Sequence, residues 1–488
     1  MEKTSVNTED IKRRSFIGVV ALTSRTFILQ IIALIATFLL TVLLDPASFG
    51  IFFVVTAAVN FLNYFSDIGL AAALIQKHEE PTQADLATTF TIQQLLVGVA
   101  VIIALLISPG VAKFYSFGSN GLFLFRALVI AFLLSSLKTI PSVLLERKLD
   151  FHKLIIPQII ETLTFYVVAV VLAYRNLGVV SFAWAALARG ISGTIALYIV
   201  APWRPFFMLK KESAKKLLSF GIPYQANSFL ALVKDDLLTL FLGHTLPLAQ
   251  VGYIGWAKKW AEIALRLIMD NIIKVTFPTY ARLQHDKALL QKAIEKSLLF
   301  LALLTLPIAV GMGFLVKPFI EVIPKYAKWE PALLSFYLFT ISSVLAALSS
   351  PLVSALNALG RVKYTFLLMI MWTTLTWILV PLGVGLFGYE GVAAAAVIIG
   401  CSSFVPIFFI RKIIPLTVLP HIMHAAFATL FMALTMGVLM VAAPTPMLKL
   451  VFGFVGGIGI YVFLIYVLMG KTLLPYLAFL KPATKSSL

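Results

Sequence analysis

Charged residues interrupt two apolar segments within residues 219–277. The first segment carries Lys234, Asp235 and Asp236 near its middle. The second carries a ladder in which each charged residue follows the last by four positions, with Lys259 alongside it: Lys258, Glu262, Arg266, Asp270 and Lys274. On a helix, four-residue steps stack side chains along one stripe, where opposite charges can pair. Because a charge at bilayer depth is costly, such residues usually face a water-filled path or one another, and they indicate a transport site.

The alternative is that the second segment overshoots the membrane and that its ladder is a solvated face. Residues 251–277 would form about 40 Å of helix, which is more than a bilayer core requires. Lys274 fits this alternative, because it lies near the end of the segment. Glu262 and Arg266 are more central, so we expect a functional role for them.

Six further charged residues lie in apolar segments upstream: Arg25, Asp67, Arg126, Lys138, Glu161 and Arg189. Together with the two segments above they make nine bases and six acids, so the interior is net positive. A diphosphate needs several cationic donors to replace its water, and arginine can bind it through two parallel hydrogen bonds. The bases predicted to bind an anionic substrate in a cationic cavity are Arg25, Lys138, Arg189, Lys234, Lys258, Lys259 and Arg266. The acids predicted to bind a coupling ion or to pair with bases are Asp67, Asp235, Asp236, Glu262 and Asp270.

Some of these charges have simpler explanations. Arg126 and Arg25 are near enough to segment ends to extend towards an interface. Asp67 could cap or pair near the inner mouth of a path. Asp235 and Asp236 point about 100° apart on a helix, so both cannot face one cavity centre. A sugar would instead require amide and hydroxyl partners, for which the candidates are Gln30, Asn60, Asn63, Gln93, Gln94, Tyr224, Gln225 and Asn227.

The composition excludes a soluble domain. Of the 488 residues, 60% are hydrophobic and 12% are charged, and the mean hydropathy is +0.99, which is typical of a polytopic membrane protein. The net charge of +18 is spread over short connections, so we set nucleic-acid binding aside. The single cysteine, Cys401, and the pair His421 and His424 lack further ligand-type neighbours, so we expect neither a metal site nor a cofactor.

The elements that position these charges are fourteen predicted membrane spans. Of the 39 lysines and arginines, 24 lie in the connections on one side and six on the other. Basic residues accumulate on the cytoplasmic side, so both termini are predicted to be cytoplasmic. The N-terminal apolar run is too long for a signal-peptide core and is taken as the first span. The predicted spans are 16–44, 48–75, 86–108, 122–145, 154–173, 179–201, 219–244, 250–277, 297–316, 331–357, 365–386, 391–410, 422–442 and 448–469.

The two halves of the chain repeat weakly. Residues 45–51 and 246–253 each form a short Pro- and Gly-containing turn, about two hundred residues apart. An offset of six spans preserves orientation, so the halves should be related by a pseudo-two-fold axis along the membrane normal. We therefore predict an all-α protein with an N-terminal lobe, a cytoplasmic linker, a second six-helix lobe and two extra spans with a tail, at 1–201, 202–218, 219–410 and 411–488. An amphipathic surface helix is predicted over 278–296.

Several short motifs resemble a known family. They are Phe16-Ile17-Gly18, Pro46-x-x-Phe49-Gly50, Ser66-Asp67-Ile68-Gly69-Leu70, Leu144-Leu145-Glu146-Arg147-Lys148-Leu149-Asp150-Phe151 and Asn357-Ala358-Leu359-Gly360-Arg361. In order and spacing they resemble the polysaccharide flippases of the multidrug/oligosaccharidyl-lipid/polysaccharide exporter superfamily, over about residues 10–412. The resemblance implies export of undecaprenyl-pyrophosphate-linked oligosaccharides, such as O-antigen or capsule repeat units, across the bacterial inner membrane. It also implies two six-helix lobes around a cationic cavity. In the peptidoglycan-precursor branch, extra C-terminal helices line a groove for the lipid tail.

The function predicted from the sequence is therefore a flippase that works by alternating access and is coupled to a proton or sodium gradient. No phosphate-cradling Gly-x-x-x-x-Gly-Lys loop is present in the sequence, so we expect no ATP hydrolysis. The predicted outer connections are too short for a loop with acid-base residues, so we expect no enzyme activity. The alternatives are a multidrug cation antiporter, a flippase for a lipid-linked peptidoglycan precursor, and an integral-membrane polysaccharide polymerase or ligase. The expected partners are the lipid-linked substrate, the coupling ion and membrane lipids, and a polysaccharide polymerase and chain-length proteins are further candidates.

Overall fold

The computed structural model describes residues 29–77 and 79–478, and these ranges contain α-helices, one short 3₁₀-helix and no β-strand. The chain divides into two compact units, Met1–Gly252 and Tyr253–Leu488. The N-terminal unit contains α1 Leu29–Leu43, α2 Pro46–Asp67, α3 Leu70–Gln76, α4 Gln83–Phe114, α5 Gly118–Ser136, α6 Thr139–Arg147, α7 Phe151–Tyr174, α8 Val180–Val200, α9 Lys211–Thr245 and the start of α10 Leu248–Leu283.

The C-terminal unit continues α10 and adds seven α-helices. The 3₁₀-helix Ala327–Ala332 directly precedes α12. The α-helices are α11 Lys287–Val322, α12 Leu333–Ala358, α13 Val362–Phe387, α14 Glu390–Cys401, α15 Phe404–Arg411, α16 Leu419–Ala442 and α17 Pro446–Ala478.

Eleven helical segments of the described ranges are long and apolar enough to cross a membrane. They coincide with eleven of the fourteen predicted spans. The other three predicted spans coincide with α1, a shorter apolar helix, and with α9 and α10, whose charged residues make them less apolar. The prediction of an all-α polytopic membrane protein is confirmed. The count of fourteen, the pseudo-two-fold axis and the lobe boundaries stay predictions.

Three of the predicted spans are each broken into two helices. α2 and α3 are separated by Ile68 and Gly69, which both have positive φ angles, of 45° and 71°. α5 ends at Ser136 and α6 begins at Thr139, so Lys138 lies at the junction. The third break separates α14 from α15. Polar residues lie at two of the three junctions: Lys138 at the second, and Ser402 and Ser403 at the third.

The predicted surface helix over 278–296 is wrong. α10 continues to Leu283, and α11 begins at Lys287 after a short connection in which Asp286 caps the new helix by accepting from the Leu289 amide at 2.9 Å. The residues of this region that face the protein are fully buried: Tyr280, Leu290 and Ile294 have no exposed surface and pack in one apolar cluster. The lysines and arginine that suggested a surface helix are therefore the exposed faces of two core helices.

The connection before α9 is held against α4. Residues 202–210 are not helical, and the backbone amides of Met208 and Lys210 donate to the hydroxyls of Thr91 and Thr88 at 3.0 and 3.1 Å. Trp203, 9% exposed, packs in the same apolar cluster as residues of α3, α4 and α6. The first part of the linker predicted over 202–218 is thus a non-helical segment, residues 202–210, which we call the strap. The rest forms the first turns of α9, which begins at Lys211.

One motif of the family resemblance has a structural role. Arg147, at the end of α6, donates to the carbonyl oxygens of Leu74, Ile75 and Lys77 at 2.5, 3.0 and 2.7 Å, and to that of Glu79 at 2.9 Å. The carbonyls at a helix C-terminus lack intrahelical partners and attract a cation. Arg147 therefore caps α3 and ties it to α6.

Candidate functional site

A buried carboxylate holds two of the predicted basic residues together. Glu161 on α7 accepts from the Lys138 ammonium at 2.6 Å, and its other oxygen lies 3.7 Å from Nε of Arg189 on α8. The side chains of Lys138 and Glu161 are 14% and 11% exposed. Lys138 reaches the carboxylate because it lies at the break between α5 and α6. We call Lys138, Glu161 and Arg189 the charge cluster, and its net charge is positive.

The space for Glu161 is provided by a glycine on the neighbouring helix. A Cβ atom at Gly193 would overlap the Glu161 carboxylate. Gly193 lies four residues after Arg189, on the same face of α8, so the helix presents a base and a gap to one carboxylate. The approach of Glu161 to α8 therefore depends on the glycine at position 193 as well as on the opposite charges.

Arg189 retains hydrogen-bonding capacity. Its side chain is 54% exposed, and it approaches Glu161 through Nε. Its guanidinium carbon lies 6.0 Å from the centre of the Phe165 ring, which favours a cation over its face. Its two terminal nitrogens make no hydrogen bond to any residue in the described ranges. A planar fork of this kind can bind a phosphate oxygen pair.

Glu161 was not among the residues predicted to form the site, although the sequence contained a signal for it. It is the sole acid within predicted spans three to six, where Arg126, Lys138 and Arg189 all lie. A buried base is stable only with a partner. Glu161, as the single acid in that set, could therefore have been identified as the counter-ion from the sequence. Arg126 is separate from the cluster, since its Nε donates to Ser108 Oγ at 2.9 Å.

A polar cavity of about 570 Å³ lies within the N-terminal unit. Helices α2, α4, α5, α6 and α9 contribute its polar groups. Two of its lining residues, Ser136 and Thr139, flank the junction that carries Lys138. Its full lining is Asn60, Asn63, Tyr64, Ser66, Ala71, Gln93, Ser135, Ser136, Thr139, Gln225, Ala231, Leu232, Asp235 and Asp236.

Hydrogen bonds hold α9 against α2 at this cavity. Asn60 Nδ2 donates to Asp236 Oδ1 at 3.0 Å. The Tyr64 hydroxyl donates to the Gln225 carbonyl, and Gln225 Nε2 donates to the Tyr64 carbonyl, both at 2.9 Å. Asp236 therefore contacts an amide, whereas the sequence assigned Asp235 and Asp236 to binding of a coupling ion or to pairing with bases.

The amide of Gln93 is only partly satisfied. Gln93 is 3% exposed, and its Nε2 donates to Thr139 Oγ1 at 2.8 Å. Its buried Oε1 has no hydrogen-bond partner among the residues that the structure describes. A buried acceptor without a partner is costly, and because this oxygen has almost no accessible surface, a ligand in the cavity that Gln93 lines would reach it only after rotation of the side chain.

The structure brings together part of the predicted set. Of the eight sugar-binding candidates, Asn60, Asn63, Gln93 and Gln225 line the cavity, and Gln94 donates to Ser136 beside it at 3.0 Å. The side chains of Tyr224 and Asn227 lie outside the described part of the chain. Gln30 is on α1, and its buried Oε1 also has no partner among the described residues.

The predicted charged residues fall into separate groups. Asp235 and Asp236 line the polar cavity, whereas none of the six predicted bases that the structure describes is among its lining residues. Lys234 approaches the carboxylate of its neighbour Asp235 at 3.8 Å. Arg25 lies outside the described residues, as does the side chain of Asp67. A common cationic cavity formed by these bases stays a prediction.

The charge ladder of α10 contains one short pair. Arg266 Nη2 lies 2.9 Å from Glu262 Oε2, four residues earlier, as helical spacing predicts. The Arg266 side chain is 63% exposed and that of Glu262 is 24% exposed. Lys258, Lys259, Asp270 and Lys274 lie on the same helix. The exposure of Arg266 leaves it free to reach a ligand in addition to its partner.

Comparison with known proteins gives the family. Residues 39–334 match the family described as "Polysaccharide biosynthesis protein", which is more than half of the chain. The chain belongs to this family. The motifs at residues 46–50, 66–70 and 144–151 lie within the matched region, and the family resemblance drawn from them is confirmed.

Two curated relatives match parts of this family member. The teichuronic acid biosynthesis protein TuaB of Bacillus subtilis (strain 168) is 23% identical over 309 residues, which are 63% of this chain and 63% of that protein. The succinoglycan biosynthesis transport protein ExoT of Rhizobium meliloti (strain 1021) is 23% identical over 280 residues, which are 57% of this chain and 56% of that protein. The chain thus spans less than two thirds of the length of these relatives.

The fold is that of a solved flippase. A structure of the lipid II flippase MurJ in an inward closed conformation aligns with a TM-score of 0.74 and covers 93% of this chain and 99% of that one. The sequence identity is 15%, so the likeness shows the fold alone. It extends well beyond the region that matches the family and includes most of the C-terminal unit.

Proposed function

We propose that this family member moves an undecaprenyl-pyrophosphate-linked oligosaccharide across the bacterial inner membrane by alternating access, with both termini cytoplasmic and coupling to a proton or sodium gradient. The observation that carries the proposal is the polar cavity beside the charge cluster. Its amides, hydroxyls and carboxylates suit sugar hydroxyls, and Lys138 and Arg189 suit a diphosphate. Family membership and the names of the relatives, which concern cell-surface polysaccharides, support a substrate of this class.

Each group has a distinct role in this proposal. Asn63, Gln93 and Gln225 line the space for the sugar, and Gln93 accepts from a sugar hydroxyl after turning its buried Oε1, which has no partner among the described residues, towards the cavity. Arg189 binds the pyrophosphate through its terminal nitrogens, because Glu161 occupies only the Nε side. Glu161 stabilises both bases before the substrate arrives and limits the affinity, so that the pyrophosphate can leave on the other side.

The test compares Arg189→Ala and Arg189→Lys with Arg126→Ala, which removes a base of the same unit outside the charge cluster. Transport of the lipid-linked oligosaccharide is measured in vesicles of matched protein content. A hydrogen bond to a charged group contributes about 1.5–3 kcal/mol, so Arg189→Ala should slow transport by about ten- to a hundredfold. Arg189→Lys should recover part of the rate, because it restores the charge without the fork. Arg126→Ala should be normal.

Unaltered transport by Arg189→Ala would contradict the assignment of the pyrophosphate to the charge cluster. Equal losses in Arg189→Ala and Arg126→Ala would indicate a general effect of removing an intramembrane base. Both outcomes are informative because the two arginines lie on neighbouring helices of one unit.

A multidrug cation antiporter remains the second candidate, because Asp235 and Asp236 line the cavity and none of the predicted bases that the structure describes does. Two carboxylates in a polar cavity suit a cation better than an anion. The two functions are separated by loss of the gene product in its own host. A flippase for polysaccharide leaves lipid-linked repeat units on the inner leaflet and no surface polymer, whereas a drug antiporter leaves the polymer intact and increases sensitivity to lipophilic cations.

A further inference from the structure

A second cavity, of about 740 Å³, lies within the C-terminal unit among α11, α12, α16 and α17. One wall is formed by α11, from Leu306 to Glu321, and the opposite wall by α12. The lining is Leu306, Ala309, Val310, Gly313, Phe314, Lys317, Pro318, Glu321, Tyr337, Thr340, Ile341, Val344, Leu345, Met440 and Lys449. It shares no residue with the polar cavity of the N-terminal unit.

The cavity has an apolar depth and a charged mouth. Its charged residues all lie at helix ends: Lys317 and Glu321 in the last turns of α11, and Lys449 in the first turn of α17. Leu306 and Leu345 lie towards the middles of their helices. From Lys317 back to Leu306 the wall measures about 17 Å along α11. This is close to one leaflet of a bilayer core, about 15 Å.

The mouth carries a net positive charge. Neither Lys317 nor Lys449 forms an ion pair with any residue in the described ranges, and Glu321, one turn after Lys317, is not within ion-pair distance of it. Lysines at the level of the headgroups attract anionic lipid. The apolar lining below them lies at the depth of the acyl chains.

We propose that this cavity binds an anionic membrane phospholipid, with one acyl chain between α11 and α12 and the headgroup phosphate at Lys317 and Lys449. The depth of one leaflet fits an acyl chain, whereas an extended undecaprenyl chain is longer than one leaflet. The two lysines come from α11 and α17, so the bound phosphate joins the last helix of the chain to the body of the unit. The site is independent of the proposed transport function.

The first test measures headgroup preference. Full-length protein in detergent is titrated with phosphatidylglycerol and with phosphatidylcholine of identical acyl chains, and the bound lipid is counted by native mass spectrometry. Each lysine near a phosphate contributes about 1 kcal/mol, which is about a fivefold change in affinity. The Lys317→Gln/Lys449→Gln variant should therefore lose at least tenfold in affinity for phosphatidylglycerol. A Lys113→Gln/Lys325→Gln variant, which removes one lysine in the last turn of α4 and one in the turn after α11, neither of them lining the cavity, should retain it.

The second test measures occupancy of the apolar depth. Gly313 lines the cavity, and a Cβ atom there would meet nothing within 4 Å, so Gly313→Leu adds side-chain volume to the cavity without a clash at Cβ. It should abolish binding of the lipid. Gly385→Leu on α13 is the matched control, because a Cβ at Gly385 also meets nothing within 4 Å and the residue does not line the cavity.

Three results would overturn the proposal. Equal affinity for the two headgroups would show that the lysines do not select an anion. Unchanged binding in Gly313→Leu would place the lipid elsewhere. Undecaprenyl phosphate offers the same phosphate on a polyprenyl chain, and its displacement of phosphatidylglycerol at equal or lower concentration would assign the cavity to the tail of a lipid-linked substrate.

Discussion

Two residues of the charge cluster, Lys138 and Glu161, are largely buried, so each depends on the charge of the other. Glu161→Gln removes the charge that neutralises Lys138, whose side chain is 14% exposed. Breaking a buried ion pair by removing one partner costs about 3–5 kcal/mol, whereas removing both charges is often neutral. We expect Glu161→Gln to lower the free energy of unfolding by about 3 kcal/mol, and Glu161→Gln/Lys138→Met to recover most of it, as measured by denaturation in detergent.

The control for this cycle is the exposed pair on α10. Glu262→Gln disrupts the contact with Arg266, whose side chain is 63% exposed, and such pairs contribute at most about 1 kcal/mol. If Glu161→Gln destabilised the protein no more than Glu262→Gln does, the cluster would be solvated and its structural role would be contradicted.

Asp235 and Asp236 differ in their partners, which predicts different behaviour. Asp236→Asn keeps an oxygen that can accept from Asn60, so α9 should stay against α2 and the protein should still bind substrate. If Asp236 carries the coupling proton, transport driven by an imposed pH gradient should stop in Asp236→Asn vesicles. Asp235 lies 3.8 Å from Lys234, so Lys234→Gln should partly repair Asp235→Asn. Full gradient-driven transport by the Asp235→Asn/Asp236→Asn double variant would exclude both roles.

At the scale of single elements, the sequence predicted where helices run better than where they break. Apolar length alone located the long segments, because a membrane span must satisfy its own backbone over its whole length. The junction at Lys138 was not predicted, although Pro141, which lacks a backbone N–H and follows Lys138 by three residues, is a sequence signal for a break there. The prediction of a surface helix at 278–296 was wrong because a row of bases on one face is typical both of a surface helix and of the exposed face of a core helix.

The start of α10 and the start of α2 pack against each other through glycine. A Cβ atom at Gly50 would overlap the carbonyl of Leu248, and a Cβ atom at Gly252 would overlap that of Pro46. The two contacts are reciprocal, since each glycine lies four residues after the residue of its own helix whose carbonyl faces the other glycine. This is the contact expected if the turns at 45–51 and 246–253 are equivalent, as their sequences suggest.

Substitution of Gly252 tests this close approach. Gly252→Ala places a methyl group against backbone, which cannot move aside as a side chain can, so we expect a loss of about 1–3 kcal/mol in the free energy of unfolding. Gly110→Ala on α4 is the control, because its Cβ would meet nothing within 4 Å and alanine favours the helix. Equal stability of the two variants would contradict the packing of α2 against α10.

At the scale of the whole molecule, composition could predict a membrane protein, and charge asymmetry could predict an orientation. Both patterns reflect the bilayer that surrounds the chain, and neither depends on particular contacts. The grouping of site residues could not be predicted in the same way. Nine bases and six acids along a chain do not specify which acid each base meets, and Asp236 meets an amide. The sequence identified many of the polar residues that line the cavity, whereas the structure was needed to show that Lys138 and Arg189 share Glu161.

The orientation can be tested at connections that the structure makes suitable. A cysteine at Ser213 would be masked, because that residue is only 7% exposed. A cysteine at Gly388 would be strained by a φ of 61°. Four other exposed positions avoid both problems. They are Asn120 and Arg175 on the predicted outer side and Gln83 and Glu212 on the predicted inner side.

With Cys401, which is exposed, first replaced by serine, single cysteines at these four positions should divide by side. Asn120→Cys and Arg175→Cys should react with an impermeant thiol reagent added to intact cells, since 24 of the 39 basic residues place the opposite connections in the cytoplasm. Gln83→Cys and Glu212→Cys should react only after the membrane is permeabilised, which also controls for accessibility. Labelling of Glu212→Cys in intact cells would place the connection before α9 on the outer side. It would contradict the predicted orientation of every span that follows.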